Sequence, residues 1–391
     1  MPITEAMNTG KWRNRFYTLQ DLLLKTVRQA AHPDYKLQFH PDLSPMGWHL
    51  GHSVFTETYW IREIVMRNDE ISSGLKDLYT PEQSPKSQRG DALPPHHELC
   101  NWAELMQREN RELLERHIQH HADHELMQNN YLWNFLSQHY AQHYETATLI
   151  RLQRALQQSR DFIVANPLQS SMPERNTVKI VSGKYCIGAS GTCAPYDNEY
   201  PDFSAPLDEF HIALTPVSNA EYLAFMETGG YDSSDYWDDA GWDWRLQEAA
   251  VYPDHWRQDP EGHYYGHDAG GPCQLDPDSP VHGVNHYEAS AFARWAGARL
   301  PHEYEWEAAN LTGALQACGQ VWEWCANTFH PYEGFRAFPY SGYSIPYFDG
   351  KHYSLRGGGA YTQEVIKRPT FRNYYQADKR HIYAGIRLVY D

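Results

Sequence analysis

Apolar residues recur at three-to-four spacing through four stretches in the first 160 positions of the chain. These stretches cover residues 11–30, 48–67, 97–121 and 125–156. That spacing places the apolar side chains on one face of an α-helix, and Pro and Gly residues fall between the stretches. The pattern therefore predicts four helices in an antiparallel bundle, a fold whose core can hold a metal ion.

The pattern changes at residues 166–176, NPLQSSMPERN, whose composition is typical of a linker. After it the helical period largely disappears, and short apolar runs alternate with stretches rich in Gly, Pro, Trp, Tyr and Asp. Only residues 221–229 and 286–297 predict clear helices, and no repeat of 20–50 residues is found. We therefore predict an α+β protein, with a helical domain over 1–165 and a second domain of short strands over 175–391.

Composition limits the classes of function. A net charge of −17 argues against a nucleic-acid partner, because a polyanion would be repelled. No apolar run approaches the roughly 20 residues of a membrane span, and the N-terminus lacks the apolar core of a signal peptide. We therefore expect a cytoplasmic protein without a membrane partner, whose six cysteines, none in a CxxC pair, are reduced. The oligomeric state stays open.

Three histidines carry the candidate chemistry. His139 and His143 are four residues apart on the fourth predicted helix, so both project from one face and can bind one metal ion. His52, from the second helix, would complete a three-imidazole set and leave the far side of the metal open, as in catalytic sites. Glu57 and Glu145 lie off the faces of these ligands. In a chain with 22 histidines, however, the spacing alone also permits a structural role.

Longer phrases resemble known families. In the C-terminal half they resemble the formylglycine-generating enzyme, or sulfatase-modifying factor, domain, which has a C-type-lectin-like fold; the phrases cover residues 215–231, 279–309, 319–329, 353–361 and 384–391. In the N-terminal half, WHLGH and HYAQHYE resemble a DinB-like four-helix bundle. The two halves together resemble the ergothioneine-type sulfoxide synthases, including selenoneine-synthase-like members.

That resemblance implies a non-haem iron enzyme that uses O2 to join a thiol sulfur, or a selenol, to the imidazole carbon of hercynine or histidine. It implies that His52, His139 and His143 bind Fe(II) and that Gln142 contacts the substrate imidazole. Tyr and Trp side chains, 28 and 13 in number, suit a pocket for a trimethylammonium group.

The resemblance also assigns roles in the C-terminal half and in one loop. Tyr340 is implied to be the catalytic proton donor and Tyr343 to lie against the substrate, with Asn373 and Tyr374 beside it. Lys86 and Arg89 are implied to bind the carboxylates of the thiol substrate. Tyr374 stands where the family has Trp, and Lys86 stands where some members have Arg, which is not a neutral exchange.

Several alternatives remain at this point. His49, one turn before His52, is placed outside the metal site by the family pattern. The lectin-like domain could also hold a structural Ca2+. A zinc-dependent DinB-type thiol S-transferase would use the same histidines, and a non-catalytic lectin-like binding protein would not need them. The sulfur or selenium donor is not specified.

Overall fold

A computed structural model describes residues 2–116, 121–158, 162–191 and 195–391. The chain divides into two compact units, each described by itself below. The helical unit comprises Met1–Gln157, and the sheet-containing unit comprises Gln158–Gly191 and Pro195–Asp391. The mixed helix and strand content confirms the predicted α+β class.

Four long helices form the described part of the helical unit. They are α1 (Pro2–Arg28), α2 (Met46–Thr58), α4 (His96–Arg116) and α5 (Tyr131–Gln157), with a single turn, α3 (Lys76–Tyr79), between α2 and α4. α5 packs against α1 and α2, and α2 also packs against α4. The core between them is apolar and includes Phe16, Leu23, Leu50, Leu132 and Leu136. The four predicted helices are therefore present, while the DinB likeness stays a prediction.

The ends of these helices differ from the predicted ones. α2 passes directly into a π-helix at Tyr59–Val65, so the second predicted helix changes its hydrogen bonding midway. A 3-10 segment, Glu125–Asn130, precedes α5, because Asn129 has a left-handed backbone with φ of 53° and interrupts the helix. Apolar spacing continues through both changes, and so the sequence pattern does not reveal them.

Short strands make four small sheets in the described part of the second unit. β1 (Thr177–Ile180), β4 (Phe210–Ala213) and β12 (Val389–Tyr390) form one sheet, and β2 (Gly183–Ile187) pairs with β3 (Phe203–Leu207). β5 (Trp256–Gln258), β6 (Tyr264–Asp268) and β7 (Gly271–Cys273) form a third. The largest sheet has the order β10-β9-β8-β11, from β8 (Trp322–Thr328), β9 (His352–Arg356), β10 (Asn373–Gln376) and β11 (Ala384–Gly385).

Four helices accompany these sheets: α6 (Asn219–Glu227), α7 (Asp239–Glu248), α8 (His286–Trp295) and α9 (Glu303–Leu311). The two predicted helices correspond to α6 and α8. Each begins with a capping box, formed by Ser218 with Glu221 and by Asn285 with Glu288. The other two helices were not predicted.

Buried arginine–glutamate pairs hold the second unit together. The pairs are Glu303 with Arg356 and Arg372, Glu323 with Arg387, Glu288 with Arg380, and Glu199 with Arg368. The four carboxylates are buried, and each lies in one strand, helix or loop while its arginine comes from another. Such charge-assisted hydrogen bonds connect segments that share few backbone hydrogen bonds between strands.

In the part of the chain that the structure describes, no helix is long and apolar enough to cross a membrane. The cysteines Cys100, Cys186, Cys273, Cys318 and Cys325 are free, as predicted. The sixth, Cys193, lies outside the described residues.

Candidate metal centre

Three imidazoles converge at one point of the helical unit. Nε2 of His139 lies 3.2 Å from Nε2 of His52 and 3.1 Å from Nε2 of His143. α5 supplies His139 and His143, and α2 supplies His52. The predicted i, i+4 pair therefore meets the third histidine as the sequence pattern required.

The local packing explains why these rings share an orientation. All residues of α2 are buried, so His52 cannot turn toward solvent. The indole of Trp48 stacks on the His52 ring at a centroid distance of 4.7 Å and an angle of 11°. The guanidinium of Arg89 lies over the Trp48 ring, 3.8 Å from its centroid. Stacking and burial together hold His52 in place.

The outer nitrogens of the three rings differ in their contacts, and the contact of His52 fixes the position of its hydrogen. Nδ1 of His52 lies 2.7 Å from the carbonyl oxygen of Tyr79, which can only accept, so Nδ1 carries the hydrogen and Nε2 has a free lone pair. Nδ1 of His143 lies 2.8 Å from Nδ1 of His49. Nδ1 of His139 is buried without a partner among the described residues.

Burial keeps these imidazoles neutral. It is the main cause that lowers the pKa of His52 to about 4 and that of His49 to about 3, and the nearby His52 contributes to the shift of His49. Burial also holds the pKa of His139 and of His143 well below the usual range, with neighbouring histidines adding to the effect. A neutral imidazole is the form that binds metals. The inward nitrogens are therefore available as ligands at neutral pH.

The spacing fits a single transition-metal ion. Two nitrogens at right angles, each about 2.1 Å from one ion, lie about 3 Å apart, and the observed separations are 3.1 and 3.2 Å. Among the described residues, the potential ligand atoms of His52, His139 and His143 all lie within 4.8 Å of one another. A set of three nitrogen ligands suits iron or zinc and leaves further coordination positions open.

Glu57 does not join the three histidines, as the helical geometry predicted. Its Oε2 accepts hydrogen bonds from Tyr140 at 2.6 Å and from Gln20 at 2.7 Å, between α1, α2 and α5. Full burial raises the pKa of Glu57 to about 7, and the hydrogen bonds only partly offset that rise. This carboxyl belongs to the packing of the helices around the histidines.

The loop residues predicted to bind substrate carboxylates have other contacts. Lys86 begins a 3-10 turn, and its Nζ donates to the carbonyl oxygen of Asp42 at 2.8 Å. Arg89 is buried and donates to the carbonyl oxygens of Ser84 and Pro81 and to the hydroxyl of Ser44. These bonds give Arg89 a role in supporting the Trp48 and His52 stack, while carboxylate binding stays a prediction.

Gln142 precedes His143 on α5 and is partly exposed, and its predicted contact with the substrate stays untested.

In the second unit, Tyr340 and Tyr343 lie on one loop that Asp197 holds at both ends. The carboxylate of Asp197 accepts from the hydroxyl of Ser344 at 2.5 Å and from the backbone N–H of Phe338 at 3.3 Å. Tyr340 is 41% exposed, whereas the Tyr343 ring stacks on Tyr196 with centroids 4.1 Å apart. Asp197 was missed in the sequence, because its partners are more than 140 positions away.

Asn373 and Tyr374 begin strand β10, where they interact with each other and with this loop. Oδ1 of Asn373 accepts from the backbone N–H of Tyr374 at 3.0 Å. The hydroxyl of Tyr374 donates to the carbonyl oxygen of Tyr343 at 2.8 Å, and its ring stacks on Phe329. Burial raises the pKa of Tyr374 well above its usual value. The structure thus brings the predicted residues Tyr343, Asn373 and Tyr374 together.

Comparison with known proteins assigns the second unit to a family. Residues 164–316 and 308–391 match the model of the sulfatase-modifying factor enzyme 1-like domain. These residues make up more than half of the chain, and the chain belongs to this family.

One relative that matches almost the whole chain, and two that match half of it or slightly more, narrow the class. The chain is 28% identical over 429 residues to a hercynine oxygenase of Mycolicibacterium thermoresistibile, a match that covers 95% of this chain and 94% of that one. It is 31% identical to a hercynine oxygenase of Mycolicibacterium smegmatis, over 58% of this chain and 64% of that one. It is 27% identical to ergothioneine biosynthesis protein 1 of Schizosaccharomyces pombe, over 50% of this chain and 27% of that one.

These relatives confirm the resemblance drawn from the motifs. The chain is an oxygen-dependent oxidoreductase of the ergothioneine-type sulfoxide synthase family.

Proposed function

We propose that the chain is an Fe(II)-dependent synthase that uses O2 to form a carbon–sulfur bond at the imidazole carbon of hercynine, with a cysteine-type thiol as donor and a sulfoxide as product. The observation that carries this proposal is the convergence of three neutral imidazole nitrogens, His52, His139 and His143, at separations of 3.1 and 3.2 Å. The hercynine oxygenases with which the chain aligns support the choice of substrate.

The overall reaction balances without a further reductant. The imidazole C–H and the thiol S–H are replaced by the C–S bond, and the sulfur gains one oxygen atom. The second oxygen atom of O2 leaves as water with the two displaced hydrogens. When bound, Fe(II) supplies a site where O2 is activated and the thiol sulfur is oriented beside the imidazole carbon.

The other functions that the reaction needs are assigned to side chains of the protein. The three histidines stay neutral because they are buried, so they add no charge to the site. Gln142, one position before His143 on α5, is proposed to orient the substrate imidazole. Tyr340 is proposed to donate a proton during oxygen reduction through its hydroxyl. Tyr343, Asn373 and Tyr374 are proposed to line the substrate pocket of the lectin-like unit, with Lys86 and Arg89 assisting the thiol substrate.

The donor and the metal have alternatives that an experiment can distinguish. A selenol could replace the thiol, and histidine could replace hercynine. A structural Ca2+ in the second unit also stays a prediction. Metal-free chain would be reconstituted anaerobically with Fe(II) or with Zn(II), and O2 uptake would be followed with hercynine and cysteine, with selenocysteine, or with histidine and cysteine.

We expect O2 uptake only with Fe(II) and only when both organic substrates are present, with a mass gain in the product that matches the sulfoxide. Uptake with selenocysteine in place of cysteine would assign the selenium reaction instead. Zinc retention together with thiol transfer and no O2 uptake would replace the proposal with the zinc-dependent transferase. Absence of metal binding would contradict both.

A further inference from the structure

A fourth histidine contacts the outer ring nitrogen, Nδ1, of the proposed ligand His143. Nδ1 of His49 lies 2.8 Å from Nδ1 of His143. On the other side of the same ring, Nε2 of His143 lies 3.1 Å from Nε2 of His139. The His143 imidazole therefore has one nitrogen at the centre of the histidine cluster and the other against His49.

Only one arrangement of hydrogens satisfies this contact when a metal is bound. Two ring nitrogens 2.8 Å apart form a hydrogen bond only if one donates and the other accepts. A neutral imidazole that binds a metal through Nε2 carries its hydrogen on Nδ1. His143 must then donate, and His49 must accept through a free lone pair on Nδ1.

His49 is held in the position that this role requires. It is 7% exposed, and its ring meets the Trp48 indole edge to face at 5.4 Å. Its backbone carbonyl accepts from the hydroxyl of Ser53 at 2.8 Å. It lies on α2, three residues before His52, so one rigid helix presents both a ligand and the outer partner of another ligand.

We propose that His49 is a positioning residue for the metal centre, which accepts the Nδ1 hydrogen of His143 and so orients Nε2 of that ligand toward the ion. The inference rests on the proposed function, because it needs a metal in the three-histidine site. Tyr79 serves His52 in the corresponding way through its carbonyl oxygen. Removing such an outer partner typically weakens metal binding about 10- to 100-fold.

The test uses Co(II) alone as the probe, because its visible absorption reports ligand geometry. Metal-free full-length chain would be titrated with Co(II) in competition with a chelator, for wild type, His49→Phe and His49→Asn. Phe keeps the ring volume without an acceptor, and Asn places an acceptor oxygen near the former Nδ1. The matched control is His97→Phe, since the His97 side chain on α4 is 77% exposed.

We expect His49→Phe to weaken Co(II) binding about 10- to 100-fold and to shift the visible bands. His49→Asn should recover most of the affinity and the wild-type spectrum, and His97→Phe should match wild type. The thermal midpoint of metal-free His49→Phe should stay near that of wild type. A purely structural role would instead lower that midpoint and leave the spectrum of bound Co(II) unchanged, which would overturn the inference.

The remaining outcomes separate this inference from the proposed function. If wild type binds Co(II) and His49→Phe binds it with the same affinity and spectrum, the positioning role is wrong and the metal centre stands. If wild type does not bind Co(II), the metal centre and the positioning role are both wrong. If His49→Phe does not fold, His49→Leu removes the same acceptor with a smaller side chain and decides the question by the same measurements.

Discussion

Two of the three proposed ligands are oriented by different neighbours. A main-chain carbonyl and a stacked indole hold His52, whereas a second imidazole holds His143. His139 has no partner for its outer nitrogen among the described residues, and it depends on its position in α5. Ligands that are fixed before the metal binds lose little side-chain entropy on binding. The site is therefore preorganised.

The proposed role of Tyr340 as proton donor predicts that removal of its hydroxyl lowers activity. Tyr340→Phe should keep Fe(II) but lower sulfoxide formation about 100-fold or more, the usual range for loss of a general acid. Iron content would be measured by elemental analysis and the product by mass spectrometry.

Tyr185→Phe is the matched control for this change. It removes a tyrosine hydroxyl in the same unit, where the group donates to the carbonyl oxygen of Val181. The control should turn over like wild type. Normal sulfoxide formation by Tyr340→Phe would exclude Tyr340 from proton transfer.

At the scale of helices and strands, the sequence predicted the long helices, whose apolar spacing repeats, and missed shorter elements without such a repeat. The four long helices of the first unit were predicted because their apolar spacing extends over several turns. Helix α9 was missed because its N-cap is His302, which accepts from the backbone N–H of Tyr304 but is not a residue typical of that position. The strands of the second unit have two to seven residues, too short for a reliable alternation.

The candidate site divides in the same way. The convergence of His52, His139 and His143 could be predicted, because helix geometry selects the last two and the order of the family's motifs selects all three. The outer partner of His52 could not, since Tyr79 contributes a backbone carbonyl that any residue has. Arg89 shows a different case, because its charge in a polar loop predicts ligand binding, whereas its burial and its hydrogen bond to Ser84 cannot be read from the sequence.

Glu57 links three helices and predicts a dependence of stability on pH. Its pKa is about 7 in the folded chain against an ordinary value near 4.5. The folded state thus holds the proton more strongly, so the stabilisation is complete below about pH 4.5 and is lost as the pH rises through about 7. The shift corresponds to up to about 3 kcal/mol.

Urea unfolding followed by far-UV circular dichroism would test this dependence between pH 4.5 and 8. Wild type should lose stability relative to Glu57→Gln as the pH rises, because the amide does not titrate. Glu104→Gln, whose side chain on α4 is 58% exposed, should follow wild type. Parallel curves for Glu57→Gln and wild type would show that Glu57 titrates normally.

At the scale of the whole molecule, the buried ion pairs of the second unit predict that substitution of one carboxylate lowers the free energy of unfolding. Glu303 accepts from Arg372 at 2.7 and 2.8 Å and from Arg356 at 3.0 Å, and these arginines hold the pKa of Glu303 well below its usual range. Glu303→Gln would leave Arg372 buried without its carboxylate partner. Breaking such a pair typically costs about 3–5 kcal/mol.

Glu209→Gln is the control for that change, because Glu209 pairs with Lys179 where both side chains are 50% exposed. Exposed pairs contribute about 0–1 kcal/mol. In urea unfolding followed by near-UV circular dichroism, Glu303→Gln should have a clearly lower midpoint than Glu209→Gln. Equal midpoints for Glu303→Gln and Glu209→Gln would mean that the buried pairs do not stabilise this unit.

The most direct test of the account counts Fe(II) bound per chain by anaerobic titration and elemental analysis. Wild type and His97→Ala should each bind a single Fe(II), and His52→Ala, His139→Ala and His143→Ala should each lose it, because every one removes a ligand from the same ion. Full Fe(II) binding by any of these three variants would contradict the three-histidine centre.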